Sequence, residues 1–543
     1  LRKSRKTVAI CFWFALGWFG KSLFVSMLQY YYDIKEKDNF DALFGGLYVH
    51  EHPTPWRNYY QVMMLDFSKV TSDSNNIRHD FEEYFKAEMV NFALKYRDYY
   101  DIDLVAEMDK YTTLTGKFVC LIGQATRLKH HLYLILDEYD NFTNSVWSQK
   151  GESIYKSITH GEGFYREIFK KFKGSFDRIF ITGVSPVTLD DLTSGFNISE
   201  YASTKKQYNQ MFGFSEDEEK QMVNYYKSNG CINIDADTLI DTLKPWCNNF
   251  CFSYKSLVAK EPKMFNGMMT LKYMSYYMEN QELPREMYVP NAMIDYAKLD
   301  HLIRLERQAN FRESIINKII DEGYVCENIV EHFPASSVVK FENFISLLYY
   351  YGMLTISGMR GLSAKLSIPN NNVRTQYYRY LQNEYDKYLP VNVNELRATF
   401  DNAALDDDYM EMFTYIAQAY KNASVNRNSI EGERTIQGFY MAYLGLNPYY
   451  LMHPEIELNH GYGDILLLPD TRFDFVNHCY LVEFKYITTD SKPTDEVAAF
   501  NAAKAQLDFY ATDPKIVKMI SYSQVHKIVM IFKGGDLVKL EEV

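Results

Sequence analysis

At 543 residues the chain has room for roughly three or four domains of about 150 residues each, which excludes one small barrel. Apolar residues make up 47% and aromatics 16%, enough to bury several cores against the entropy of ordering, so intrinsic disorder is excluded too. With 58 basic and 70 acidic side chains the net charge is −12, which excludes a general polyanion sponge but leaves room for a local basic groove.

The N-terminal LRKSRK and the apolar run Thr7 to Phe19 together resemble the basic and apolar parts of a signal peptide. The run is shorter than the roughly 20 residues a spanning helix needs. It also leads into Gly20-Lys21-Ser22 and not into a small-residue cleavage site. A buried strand entering a phosphate loop is therefore the reading adopted, with an exported protein as the alternative. No other segment is apolar enough to cross a membrane.

Strand-like runs recur at Val8 to Leu16, Tyr60 to Phe67, Leu132 to Leu136 and Arg178 to Val184. Helical stretches such as Ser22 to Tyr32 and Asp80 to Tyr99 separate them, which predicts parallel βαβ units. From about residue 205 to 390 charged helical segments take over. There FENFISLLYYYGMLTIS (341–357) reads as a helix, a Gly turn and a strand, as in a winged-helix lobe. Residues from about 390 to 420 are helical again. From about Asn426 the pattern is helix, strand, strand, helix, strand.

Gly17-Trp18-Phe19-Gly20-Lys21-Ser22 follows a strand-like run and opens a helix. That is the setting of a P-loop, whose backbone N–H groups and helix N-terminus hold phosphate oxygens. Gly17 and Gly20 shape the loop, Lys21 reaches the β and γ phosphates of ATP, and Ser22 ligates Mg²⁺. The full pattern wants Gly where Ala15 stands, and an ordinary helix start is the alternative. Downstream, LYLILDEYD (132–140) carries acids out at the C-terminal edge of a parallel sheet, where nucleotides bind. Asp137 is placed to hold the Mg²⁺ shell and Glu138 to orient the attacking water. A solvated acidic turn is the alternative. A third strand ends at Thr182-Gly183, where Thr182 either senses the γ-phosphate or makes a simple turn.

FGKSLFVSML, LILDEYDNFTN and FITGVSPVTLDDLTSGFNI closely resemble the AAA-ATPase-like proteins of bacteria. Those proteins pair the ATPase with a C-terminal PD-(D/E)XK nuclease-like domain, and the resemblance runs from about residue 17 to the end. It departs just before FGKS, where the family carries an arginine-rich loop and this chain has Ala15-Leu16-Gly17-Trp18. Lys21, Ser22, Asp137 and Glu138 are untouched by that departure.

The C-terminal segment supplies a second constellation, D-x(18)-E-x-K, formed by Asp464, Glu483 and Lys485. Side chains alternate along a strand, so Glu483 and Lys485 share a face, and a hairpin brings Asp464 to them. Asp464 and Glu483 would bind Mg²⁺, with Lys485 positioning water or stabilising charge on the scissile phosphate. Glu433 fits an additional acidic ligand, and Gln506 a supporting polar residue. E-x-K alone means little, since alternating charges are common on exposed strands. Its order after Asp464 and the family blocks give it weight.

Seven scattered cysteines suit free thiols in a reducing cytoplasm. In CNNFC, Cys247 and Cys251 read as two helical thiols one turn apart, with a zinc site as the alternative. The basic and aromatic residues from Arg166 to Lys173 read as an amphipathic helix, with a nucleic-acid face as the alternative. The twelve histidines show no metal-ligand spacing.

The expectation is thus an α/β chain with three parts. Residues 1–205 form a P-loop ATPase core with a parallel sheet, 206–390 a helical and winged-helix-like middle region, and 391–543 an α+β PD-(D/E)XK nuclease-like domain with leading helices. ATP and Mg²⁺ are the expected cofactors and nucleic acid, DNA first, the expected partner, with no membrane and the oligomeric state open. The function read is a cytoplasmic Mg²⁺-dependent ATPase coupled to a nuclease-like domain acting on nucleic acid, with defence or mobile-element biology as the setting considered. The alternative is a nucleotide-responsive, non-catalytic switch that binds DNA or a protein partner.

Overall fold

In a computed structural model of the chain, the apolar runs of the N-terminal third become β1 (Ile10–Phe14), β2 (Gln61–Asp66), β3 (Leu132–Asp137), β4 (Arg178–Gly183) and the short β5 (Ser199–Tyr201). The structure describes residues 10–14, 19–71, 76–184, 186–187, 199–288, 309–338, 340–386, 391–424, 432–458, 461–519 and 523–543. Two units interleave along the sequence. The first comprises Leu1–Ser215, Phe250–Met268 and Cys326–Ala364, and the second Glu216–Asn249, Met269–Val325 and Lys365–Val543.

In the first unit these five strands form one parallel sheet, in the order β2-β3-β4-β1-β5. Parallel sheets are covered on both faces, and β3 is accordingly buried at every position. The covering helices include α1 (Lys21–Tyr32), α2 (Ile77–Lys95), α3 (Leu114–Arg127) and α4 (Phe164–Phe172). Much of the aromatic content goes into this packing: the Phe81 ring lies 5.4 Å from those of both Phe164 and Tyr165. In α4, Phe164, Tyr165, Ile168, Phe169 and Phe172 are buried while Lys170 and Lys171 are exposed. Those rings are core and not free to stack on bases, so the amphipathic reading of 166–173 holds. The unit also contains α5 (Phe341–Tyr350), a turn at Gly352 with φ 77°, and β6 (Thr355–Arg360), the expected helix, Gly turn and strand.

The second unit holds helices such as Glu216–Ser228 and Ala236–Cys247, then α6 (Val393–Leu405), α7 (Tyr409–Ser424) and α8 (Glu433–Leu444). Five strands follow: β7 (Tyr450–Leu458), β8 (Gly461–Pro469), β9 (His478–Ile487), β10 (Gln524–Lys533) and β11 (Asp536–Glu542). They form one mixed sheet in the order β11-β10-β9-β8-β7, in which only β9 and β10 pair in parallel. A parallel pair needs a crossover, and α9 (Pro493–Ala511) lies within it. Ala503 and Leu507 of α9 pack on Leu466, Cys479, Leu481, Val529 and Ile531 from one face of the sheet. Tyr440 of α8 meets Phe484 and Phe532 on the other.

Two expectations need correction. The C-terminal segment has five strands where the sequence suggested three, because edge strands β7 and β11 were not anticipated. Cys247 ends a helix, but Cys251 lies in an irregular segment beyond Asn249, whose φ is 79°. The two thiols therefore do not share a helix. None of the seven cysteines is disulfide-bonded. Among the described residues no helix is long and apolar enough to cross a membrane.

Candidate functional sites

At the C-terminal edge of the parallel sheet, α1 begins at Gly20, whose φ of 89° lies in the left-handed region that glycine enters without strain. Lys21 is buried and Ser22 exposed at the first helical positions, where backbone N–H groups lack partners within the helix. Gly17, with Ala15, Leu16 and Trp18, lies outside the described residues. Lys21 Nζ reaches Glu138 Oε1 at 3.6 Å, so the start of α1 and the end of β3 share one ion pair. Glu138 has φ 51°, uncommon for a residue with a Cβ and a form of strain found at functional sites.

Asp137 is buried at the end of β3, and burial followed by the neighbouring Glu138 charge pushes its carboxyl up to about 6. Its Oδ1 accepts the Glu138 N–H at 3.1 Å. Asp66 ends β2 in register with Asp137, and its charge pushes in the same direction. Sequence reading had found the strand YQVMMLDF but missed this acid, although an Asp closing a buried strand was the same signal that identified Asp137.

β4 lies between β1 and β3, so Thr182 ends the strand flanked by both the loop strand and the acidic strand. Its backbone carbonyl accepts the Tyr139 N–H at 3.1 Å. The Thr182 side-chain Oγ1 is buried and has no hydrogen-bond partner. Asp140, also missed, clamps the neighbouring turn: Oδ1 accepts the Val184 N–H at 3.1 Å and Oδ2 an Asn144 amide at 3.0 Å. Gly183 permits that clamp, since a Cβ there would stand 2.4 Å from Asp140 Oδ1. An ammonium, a hydroxyl, buried acids and an unpartnered buried hydroxyl at a helix start form a donor set that fits a nucleotide phosphate with a hard cation.

The second constellation assembles on the mixed sheet. β8 and β9 pair antiparallel with Ile465 opposite Val482, which brings Asp464 to Glu483. Asp464 Oδ2 accepts the Phe484 N–H at 2.7 Å. Lys485 Nζ donates to Glu483 Oε1 at 2.8 Å, while Glu483 Oε2 is buried without a hydrogen-bond partner. Burial, reinforced by Glu483, holds the Asp464 carboxyl well above the usual range, and burial also raises Glu483 against the pull of Lys485. Burial pulls Lys485 down, but the Glu483 carboxylate outweighs it and the ammonium is held above its ordinary value. An unpartnered carboxylate oxygen beside a second buried carboxyl fits a divalent cation with oxygen ligands.

Glu433 at the start of α8 joins this edge, its Oε2 accepting the Tyr486 N–H at 3.3 Å. Burial, then the Glu483 charge, raises the Tyr510 hydroxyl, and Gln506 on α9 opposes that rise, which sets both residues at this edge. Tyr510 was not picked out from sequence, although it stands one helical turn after Gln506 on the same face. All five residues proposed for this site thus converge. At the first site the described candidates converge, with Gly17 outside them.

Residues 17–193 match the family model described as predicted AAA-ATPase, and residues 431–542 match that of the PD-(D/E)XK nuclease superfamily. The chain therefore carries both domains, an α/β P-loop core and a nuclease-like domain. No curated protein matches it. Solved structures similar to it include Cdc6p from Pyrobaculum aerophilum, at 10% identity and a TM-score of 0.28 over 68% of this chain and 85% of that one. The Orc1 protein of Aeropyrum pernix, solved in complex with DNA, is similar at 10% identity and a TM-score of 0.24 over 69% and 87%.

Proposed function

We propose that this chain, with its predicted AAA-ATPase domain and its PD-(D/E)XK nuclease-superfamily domain, hydrolyses ATP at the first site and cuts DNA at the second. The observation that carries the reading is a chemistry built twice. A lysine ion-paired to a carboxylate stands beside a second, buried carboxyl at Lys21–Glu138–Asp137 and again at Lys485–Glu483–Asp464.

In the first site the Lys21 ammonium and the N–H groups opening α1 bind the phosphates, and Ser22 and Asp137 would hold Mg²⁺. Glu138 accepts a proton from the attacking water, and Thr182 donates its free hydroxyl to the transferring phosphoryl group. In the second site Asp464 and Glu483 would hold Mg²⁺, with Glu433 beside them and Gln506 as a supporting polar residue. Lys485, ion-paired to Glu483, is placed to stabilise charge developing on the scissile phosphate. When bound, Mg²⁺ would supply Lewis-acid polarisation of phosphate oxygens in each site. ATP turnover gates cleavage, and the free thiols suit work in the cytoplasm.

The test is incubation of the full chain with plasmid and Mg²⁺, with and without ATP. Nicking lost in Glu483→Ala, together with phosphate release lost in Lys21→Ala, supports the reading. Retarded but intact DNA would replace it with a nucleotide-responsive DNA binder.

A further inference from the structure

Asp407, His478 and His526 lie far apart in sequence but converge in the second unit. His478 Nδ1 stands 3.0 Å from His526 Nε2, and Asp407 Oδ1 stands 3.2 Å from the first and 3.4 Å from the second. Tetrahedral coordination with bonds of roughly 2.0–2.1 Å places ligand atoms about 3.3 Å apart, the spacing of this triangle. Asp407 Oδ1 is shielded from solvent yet accepts no hydrogen bond of acceptable geometry.

The surroundings orient the group. His526 Nδ1 lies 2.9 Å from Glu542 Oε1, and Tyr409 donates its hydroxyl to the other oxygen, Glu542 Oε2. A proton on Nδ1 facing Glu542 leaves the Nε2 lone pair directed at the cluster. This is the carboxylate–histidine arrangement that fixes metal-bound imidazoles. Asp407 sits in the turn between α6 and α7, at φ 58°. His478 and His526 come from the parallel neighbours β9 and β10, with Tyr480 opposite His526 in register.

We propose that Asp407, His478 and His526 form a binding site for a zinc-type divalent cation, with Glu542 as the outer carboxylate, separate from the Asp464–Glu483 site. The separation follows from strand geometry. His478 and Glu483 stand five positions apart in β9, roughly 17 Å along the strand, and their side chains fall on opposite faces of the sheet. Chemistry separates them as well. Two imidazoles and one carboxylate suit a borderline ion such as Zn²⁺, whereas Mg²⁺ favours the all-oxygen set. The ion ties the α6–α7 turn to β9 and β10, and three protein ligands leave a position for water. Its role is a cross-link within the second unit.

The experiment is calorimetric titration of the metal-stripped full chain with Zn²⁺ in excess Mg²⁺, followed by thermal melts. One Zn²⁺ is expected at this site, raising the melting midpoint. His478→Ala and Asp407→Ala should each weaken it at least about tenfold, and Glu542→Gln by about 10–100-fold, while Asp464→Ala leaves it unchanged. Co²⁺ gives a readout on the unaltered protein, since a four-coordinate site shows strong visible bands and the aqueous ion does not. Zn²⁺ uptake that survives both His478→Ala and Asp407→Ala, or a wild type with no saturable Zn²⁺ binding and no such Co²⁺ bands, overturns the proposal.

Discussion

Lys21 and Glu138 meet at the C-terminal edge of the parallel sheet, Nζ to Oε1 at 3.6 Å, with only 5% and 25% of their side chains exposed. A phosphate oxygen reaching Lys21 must compete with that carboxylate. Glu138→Gln removes the competitor and should tighten ATP binding while slowing hydrolysis by about 10²–10⁴-fold, the usual worth of a general base. Lys21→Ala should abolish binding. Fluorescent-nucleotide titration and phosphate release measure both, and weaker binding by Glu138→Gln would refute this role for the ion pair.

The Asp137 carboxyl, raised to about 6 in the folded chain from 3.8, makes stability depend on pH. The folded state holds this proton more tightly than the unfolded state. The resulting stabilisation is complete below the unfolded value and lost as pH rises through about 6. The difference between 3.8 and about 6 corresponds to about 3 kcal/mol. Asp137→Asn should therefore melt higher than the wild type at neutral pH, with the gain shrinking towards pH 4. Metal-dependent nucleotide binding by the wild type should weaken below about pH 6, because the cation needs the ionised form. Melts and titrations across that range check both halves.

Thr182 carries a buried hydroxyl without a partner, and such a group costs roughly 1–3 kcal/mol of desolvation. Thr182→Val keeps the shape and removes the cost, so its melting temperature should equal or exceed that of the wild type. ATP turnover should nevertheless fall while nucleotide affinity changes little. A marked loss of stability would instead assign the hydroxyl a structural hydrogen bond.

The sequence disclosed what is local and periodic. The buried runs ending in Asp137 and Thr182 and the alternation of Glu483 with Lys485 all translate directly into position. Edge strand β7 escaped because Pro454 interrupts its pattern, yet an edge tolerates a residue without an N–H. Strand β11 escaped although Gly534-Gly535, between the paired Lys533 and Asp536, is a two-residue hairpin signal. The register that sets Asp66 beside Asp137 is decided by strand order, which one sequence does not spell out. The histidine pair was invisible for the same reason, since His478 and His526 come from different strands and no local spacing links them.

Glu483 is 1% exposed, and one of its oxygens is held by Lys485 while the other has no partner. Removing each partner therefore carries a different cost. Lys485→Ala strands a buried carboxylate, so stability should fall by roughly 1–3 kcal/mol, limited because Glu483 can take up a proton. Glu483→Gln removes the buried charge while keeping the shape and should cost less. Mg²⁺ reverses the ranking. It should raise the melting temperature of the wild type, do so more weakly for Lys485→Ala, and leave Glu483→Gln unmoved. Cleavage should be lost in both variants. Because burial raises both Asp464 and Glu483, the Mg²⁺ effect should fade as pH drops and the two carboxyls take up protons. An equal Mg²⁺ response in Glu483→Gln and wild type would move the ion away from these carboxylates.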